Sequence, residues 1–252
     1  MSASVRHSNR QQRQSRREEK KAKGREVTRH AHVEIELAPS IRAKNQFQQN
    51  VINAIRTKDA VFINAPAGTG KSFLVMSTVA DWLKGQQIEK IILSRPTVGM
   101  GNSLGLLPGN IRDKFEPYLA ALVQVLVGRY GNGYYETQLS NKNIEFVPLE
   151  YIRGRSFENA VVIIDEFQNT DEETAYTIMT RLGEGSKMFC LGDVTQNDLR
   201  GNKESGLDWA MNFIDRHNLF HLAEFVDGTS SDIVRSPFCK AVVQAREKDL
   251  AE

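Results

Sequence analysis

Residues 65–72 read A-P-A-G-T-G-K-S, and no other stretch constrains the chain as strongly. A short run of strand formers, Ala60-Val61-Phe62-Ile63-Asn64, precedes them, and residues 73–83 carry apolar side chains at helical spacing. The glycines therefore sit where a buried strand turns into a helix, the setting a phosphate-binding loop requires. Gly68 and Gly70 let the backbone curl so that successive N–H groups face one anion, and the helix that follows adds its positive end. Pro66, Ala67, Gly68, Thr69 and Gly70 would wrap a nucleotide's phosphates. Lys71 would reach the terminal phosphates, and the Ser72 hydroxyl would complete a magnesium site. Ala65 stands where the pattern G-x-x-x-x-G-K-[S/T] has glycine, which is tolerable provided its φ is negative.

A second stretch answers the first. Residues 160–166, A-V-V-I-I-D-E, read as a strand buried on both faces and ending in two carboxylates. Ligands of open parallel sheets lie beyond the carboxyl ends of strands, so Asp165 and Glu166 point at the phosphate-loop crevice. Asp165 is the expected magnesium ligand, and Glu166 the group that polarises an attacking water. An acidic strand end also serves simple solvation; the pairing with a phosphate loop tilts the reading to hydrolysis. A third strand over residues 187–191 runs into Gly192-Asp193-Val194-Thr195-Gln196, polar groups suited to sensing a γ-phosphate, with Gln196 as the candidate. No guanine-reading N-K-x-D is present, since Asn141-Lys142-Asn143-Ile144 lacks the Asp, and this favours ATP.

Between these landmarks the periodicity predicts helices over residues 45–57, about 111–127, 171–182 and 205–217, strands over 90–94, 144–148 and 220–225, and a terminal helix after Arg235-Ser236-Pro237. Residues 99–109 read as a Gly-rich connector, and 128–136, G-R-Y-G-N-G-Y-Y-E, as a loop or hairpin tip whose tyrosines either stack bases or pack as amphipathic side chains. Gln48 lies upstream of the phosphate loop, where a glutamine amide can read an adenine edge; in isolation an exposed helical Gln is the plainer reading.

Composition matters at the ends. Residues 1–30 carry ten Lys and Arg against three Glu, although the chain as a whole is only +2. Residues 1–35 hold almost no large apolar side chains and read as a disordered basic arm, either a phosphate-tracking tail for nucleic acid or a solubilising one. Residues 36–252 read as one ATPase domain. Ordinary apolar and charged fractions, 40% and 25% of the 252 residues, fit a soluble globular protein. The chain shows no secretory signal and no apolar run near the ~20 residues of a membrane span. Cys190 and Cys239 match no metal spacing and read as free thiols in a reducing cytosol.

The blocks I-I-L-S-R-P, L-G-L-L-P-G-N, D-K-F-E-P-Y-L, P-L-E-Y-I-R-G-R, I-I-D-E-F-Q-N-T, T-R-L-G-E-G-S-K-M and G-D-V-T-Q-N-D-L, followed by S-G-L-D-W-A and D-I-V-R-S-P, together resemble the PhoH family of P-loop ATPases over about residues 44–245. Ala65, Phe167 and Arg200 depart from that family's pattern without removing a catalytic group. The resemblance implies an α/β fold, a RecA-like parallel sheet flanked by helices, matching one domain of a superfamily-one helicase. It implies ATP and Mg2+, with Gln48 reading adenine, Gly192 to Gln196 coupling the γ-phosphate to nucleic acid, and Arg235 as an arginine finger. Arg95, within Ser94-Arg95-Pro96, falls on the nucleic-acid side, with Arg153 and Arg155 as further backbone contacts. One RecA-like core lacks a second-domain arginine, so a homo-oligomer is expected, a hexameric ring being one form, with the finger supplied in trans. RNA is favoured over DNA as the polymer. A nuclease domain of the PIN type is not expected, and the short form points to a phage-encoded protein in the cytoplasm of a bacterial host. The rival reading is a nucleotide-gated scaffold with slow hydrolysis and a protein partner. A P-loop kinase fits less well, because Glu166 marks water as the acceptor.

Overall fold

A computed structural model describes residues 36–97, 114–199 and 204–251. The expected basic arm and the Gly-rich connector lie outside these residues. Six strands, β1 (Ala60–Asn64), β2 (Lys90–Ser94), β3 (Ile144–Phe146), β4 (Ala160–Ile164), β5 (Lys187–Gly192) and β6 (Ala223–Asp227), form one sheet in the order β3-β2-β4-β5-β1-β6. Every neighbouring pair is parallel. The helices are α1 (Gln46–Thr57), α2 (Lys71–Lys84), α3 (Ala120–Tyr130), α4 (Asn132–Ser140), α5 (Glu172–Met179), α6 (Gly206–Arg216) and α7 (Pro237–Ala251).

Side chains alternate across a strand, and here both faces are dry. Val61, Ile63, Ile91, Leu93, Val161, Ile163, Phe189 and Leu191 point to a core shared with α1, α2, α3 and α4. Phe62, Ile92, Val162, Ile164, Met188 and Cys190 point the other way, to a core shared with α5 and α6. All five residues of β4 are buried, which explains a run without polar alternation. Each such aliphatic side chain contributes about 1.5–3 kcal/mol on burial.

Helix starts follow local chemistry. The Asn45 side chain caps α1 by accepting from Gln48 N, and Asp171 caps α5 by accepting from Thr174 N, ahead of Glu172 and Glu173 in the first turn.

Two expectations are corrected. Residues 128–136 are not a loop: α3 runs to Tyr130, Gly131 breaks the helix at φ 83°, and α4 begins at Asn132. One left-handed glycine turns the chain with no loop between the helices. Tyr135 is buried, while Tyr130 and Tyr134 pack against each other at 5.3 Å and beneath Lys84. These rings belong to the packing, and burial pushes the Tyr134 hydroxyl up to about 12. The last strand lies at Ala223–Asp227 instead of 220–225, because its register is set by β1, Ala60 against Ala223 through Asn64 against Asp227.

Candidate nucleotide site

β1 delivers the loop and α2 receives it. Gly68 and Gly70 stand at φ 92° and 93°, where L side chains are strained, and Gly70 is the residue before α2 begins. Ala65 has no positive φ, and its N–H donates to the Gly192 carbonyl at 3.0 Å, so alanine costs nothing there.

The loop is clasped from two sides. On one side, buried Gln48 donates from Nε2 to the Thr69 carbonyl at 2.8 Å and accepts from Lys44 N at 2.9 Å. On the other, Val234 N donates to the Gly68 carbonyl at 3.0 Å, and a Cβ at Gly68 would meet Ile233, Arg235 and Cys239 within 3.2 Å. Arg235 itself is exposed beside the loop of its own chain. Thr69 Oγ1 donates to the Pro66 carbonyl at 3.0 Å and Lys71 Nζ to the Ala65 carbonyl at 2.7 Å.

Strand order brings the acidic groups to this loop. β5 lies between β1 and β4, so Asp193, one residue past β5, falls between Lys71 and the Asp165-Glu166 pair. Lys71 feels all three: burial lowers the pKa of its ammonium, and Asp165, Asp193 and Glu166 oppose the shift. Burial, with the Glu166 charge behind it, pushes the Asp165 carboxyl up to about 6, against the pull of Arg95 and Lys71.

Glu166 sits in the left-handed region, φ 55° and ψ 40°, a conformation costing an L residue other than glycine about 1 kcal/mol or more. Gln168, fully buried, donates from Nε2 to Glu166 Oε2 at 2.6 Å and accepts from Asp193 N at 3.2 Å. One amide thus ties the end of β4 to the end of β5. Arg95 Nη2 lies 3.7 Å from Glu166 Oε1. Gln196 is exposed and turned back, its amide donating to Asp193 Oδ2 at 2.6 Å.

The three arginines expected along a nucleic-acid face are each turned to a different carboxylate. Arg95 meets Glu166, Arg153 meets Glu173 at 3.3 Å, and Arg155 meets Glu145 at 2.8 Å. Sequence reasoning missed Gln168, and it singled out Arg235 without foreseeing that the segment from Ile233 to Cys239 packs on the loop of its own chain. Gln168 lies inside the D-E-F-Q block and could have been singled out; nothing local marks a residue that packs on a loop 165 positions away.

The Ser72 hydroxyl and the Asp165 carboxylate, the pair expected to hold Mg2+, are both oxygen donors of the kind that ion takes. Among the described residues no group of three or more His, Cys, Asp or Glu forms a cage, so a cation here would share its shell with phosphate oxygens and water.

A glycine loop between strand and helix, facing an acidic strand end across an inserted strand of an all-parallel sheet, defines a P-loop nucleotide-binding fold of RecA-like type. Nothing in that topology selects one branch of so large a class. The sequence does: the chain belongs to the PhoH family, whose profile, described as PhoH-like protein, matches residues 40–247. A PhoH-like protein of Bacillus subtilis is 39% identical over 209 residues, covering 83% of this chain and 65% of the relative. Protein PhoH of Escherichia coli K12 is 35% identical over 207 residues, covering 81% and 58%. The chain thus spans about three fifths of the length of the curated relatives it matches. Among solved structures, the large terminase of a thermophilic bacteriophage overlaps 81% of this chain and 48% of its own at 13% identity and a TM-score of 0.48, too loose an overlap to inform function. No helix among the described residues is long and apolar enough to cross a membrane.

Proposed function

We propose that this chain binds ATP with Mg2+ and hydrolyses it to ADP and phosphate, and that hydrolysis is coupled to single-stranded nucleic acid, RNA in preference to DNA, within a homo-oligomer. The observation that carries this is the convergence of Lys71, Asp165, Glu166 and Asp193 at one end of the sheet, close enough for the lysine to respond to all three carboxylates.

In this reading the loop amides and the α2 N-terminus hold the phosphates, and Lys71 neutralises charge that develops on them. Ser72 and Asp165 would hold Mg2+, which supplies electrophilic polarisation of the phosphate oxygens. Glu166 orients a water and takes its proton as the water oxygen bonds to the γ-phosphorus and the β–γ bridging oxygen leaves with its electron pair. Gln48 would read the adenine edge; its amide already shapes the loop, so base recognition and loop geometry would share one side chain. Gln196 would turn from Asp193 towards the γ-phosphate. Arg235 is the arginine finger for a neighbouring copy, its backbone tied beside its own loop through Val234 and its side chain exposed.

The test is steady-state ATP hydrolysis with and without single-stranded RNA and DNA, wild type beside Glu166→Gln and Lys71→Ala. Stimulation by RNA that both changes abolish is expected. Specific activity should fall on dilution, and a dilute monomer as fast as the concentrated protein would overturn the finger in trans. The hold of Arg95 and Gln168 on Glu166 favours one second reading, a nucleotide-gated scaffold with slow hydrolysis and a protein partner. A low rate indifferent to either polymer would select it.

A further inference from the structure

The Glu166 carboxylate is held on both oxygens, and the two holds differ in kind. Gln168 is buried and also fixed to Asp193, so it is part of the scaffold. Arg95 is not. It follows β2 directly, and β2 pairs with β4 so that Ser94 lies opposite Ile164. That register sets Arg95 beside Asp165 and within reach of both carboxylates. Its Nη1 donates to the Tyr118 carbonyl at 3.1 Å, while Nη2 stands 3.7 Å from Glu166 Oε1. The second distance is an ion pair beyond hydrogen-bond length, with both side chains about a third exposed (29% and 32%). Such a pair is weak and exchangeable.

What could exchange with it lies next door. Pro96 begins a cavity of about 300 Å³ whose wall includes Glu150, Arg153, Asn169, Thr170 and Thr174. Its hydroxyls, amide and arginine are groups that can follow a sugar–phosphate backbone without reading its bases, and the carboxylates of Glu150 and Asp171 on the same wall would keep a phosphate towards the Arg95 end. A phosphodiester entering at Pro96 would offer Arg95 a charged, bidentate acceptor in place of one carboxylate oxygen at 3.7 Å.

We propose that Arg95 is a positioning residue that makes hydrolysis depend on polymer. In the free protein it draws Glu166 aside. When a backbone phosphate of single-stranded nucleic acid takes the guanidinium, Glu166 Oε1 is freed to accept the proton of the attacking water, while Gln168 keeps Oε2 in place. This rests on the hydrolytic function proposed above. It assigns Arg95 a second role besides backbone contact: one guanidinium serves two acceptors in turn.

The experiment measures kcat and KM for ATP in wild type, Arg95→Ala, Arg95→Gln and Arg95→Lys, without polymer and with saturating single-stranded RNA or DNA. Binding of a fluorescent ATP analogue is followed separately. Arg95→Ala should raise the polymer-free kcat by about two- to fivefold, the range an ion pair of this exposure can hold. Its KM and analogue affinity should stay as in wild type, and stimulation by polymer should shrink towards none. Arg95→Gln keeps a polar side chain of similar stem and removes the charge, so it carries the test if the alanine variant does not fold. Arg95→Lys keeps the charge without the fork and should restore low basal turnover with partial stimulation. The RNA and DNA arms show which phosphodiester acts. An unchanged or reduced polymer-free kcat in both Arg95→Ala and Arg95→Gln overturns the proposal. Wild type without turnover sensitive to Glu166→Gln would instead bring down the hydrolytic reading, and this inference with it.

Discussion

Two charged clusters in this protein are built from similar side chains and do opposite things. Between α2 and α3, Asp81 receives Arg129 on both oxygens, Nη2 at 2.6 Å, and the Tyr130 hydroxyl at 2.7 Å, while the same guanidinium donates to the Pro39 carbonyl. The hydrogen bond to Asp81 raises the Arg129 pKa, so folding favours its charged form. At the end of the sheet the shifts run the other way: Lys71 is lowered and Asp165 raised, each held where its charge is disfavoured. The first cluster is matched and structural. The second is mismatched, and the phosphates and divalent cation of the proposed function would relieve both groups.

That contrast can be broken in graded ways. The largest effect falls on turnover. Lys71→Ala and Glu166→Gln should each lower kcat by about 10³ or more. Glu166→Gln should retain nucleotide binding in a fluorescence titration, and both should melt within a few degrees of wild type. Next, Arg129→Ala should cost about 2–3 kcal/mol in urea unfolding, because it leaves the Asp81 carboxylate without its fork. Hydrolysis per folded molecule should not change.

The opposite sign is expected at Asp165. Its folded pKa of about 6 lies above its ordinary 3.8, so ionisation opposes folding. Without nucleotide or divalent cations, stability should fall as pH rises from about 4 to about 6 and be level above, a loss of about 3 kcal/mol. Asp165→Asn should remove that slope and raise the melting temperature at pH 7 while abolishing turnover. A variant that is no more stable than wild type would show that the carboxylate is not strained. The smallest effect tests the scaffold alone. The Ser77 hydroxyl is buried in α2 and without a hydrogen-bond partner among the described residues, so Ser77→Ala should be neutral or stabilise by under about 1 kcal/mol.

Much of the site could be read in the sequence, because its parts are local. The strand–loop–helix around Lys71 and the run from Ala160 to Glu166 carry their signals within a dozen residues, and β2 lies at its expected bounds. What escaped was set from a distance. β6 is positioned by β1, which only the assembled sheet reveals. Residues 128–136 have a loop-like composition, yet one left-handed glycine and the burial of Tyr135 make two abutting helices of them. Gln48 stands out only through the family resemblance, and its hold on the Thr69 carbonyl shows only in the fold. Arg155 reads as part of a basic face, and only the position of β3 shows it turned to Glu145.

The strand that carries the loop has a further consequence for how the molecule comes to exist. β1 ends at residue 64, but its two neighbours are β5 and β6, at residues 187–192 and 223–227. A chain emerging from the ribosome therefore makes its phosphate loop more than a hundred residues before β5 and cannot brace it until β6 has followed. Closing so long a segment is slow, and the apolar faces of β1 and α2 stay unprotected meanwhile. Truncated products would carry an intact A-P-A-G-T-G-K-S and no working cradle. A braced phosphate loop is in this sense a report that β5 and β6 have been made and paired.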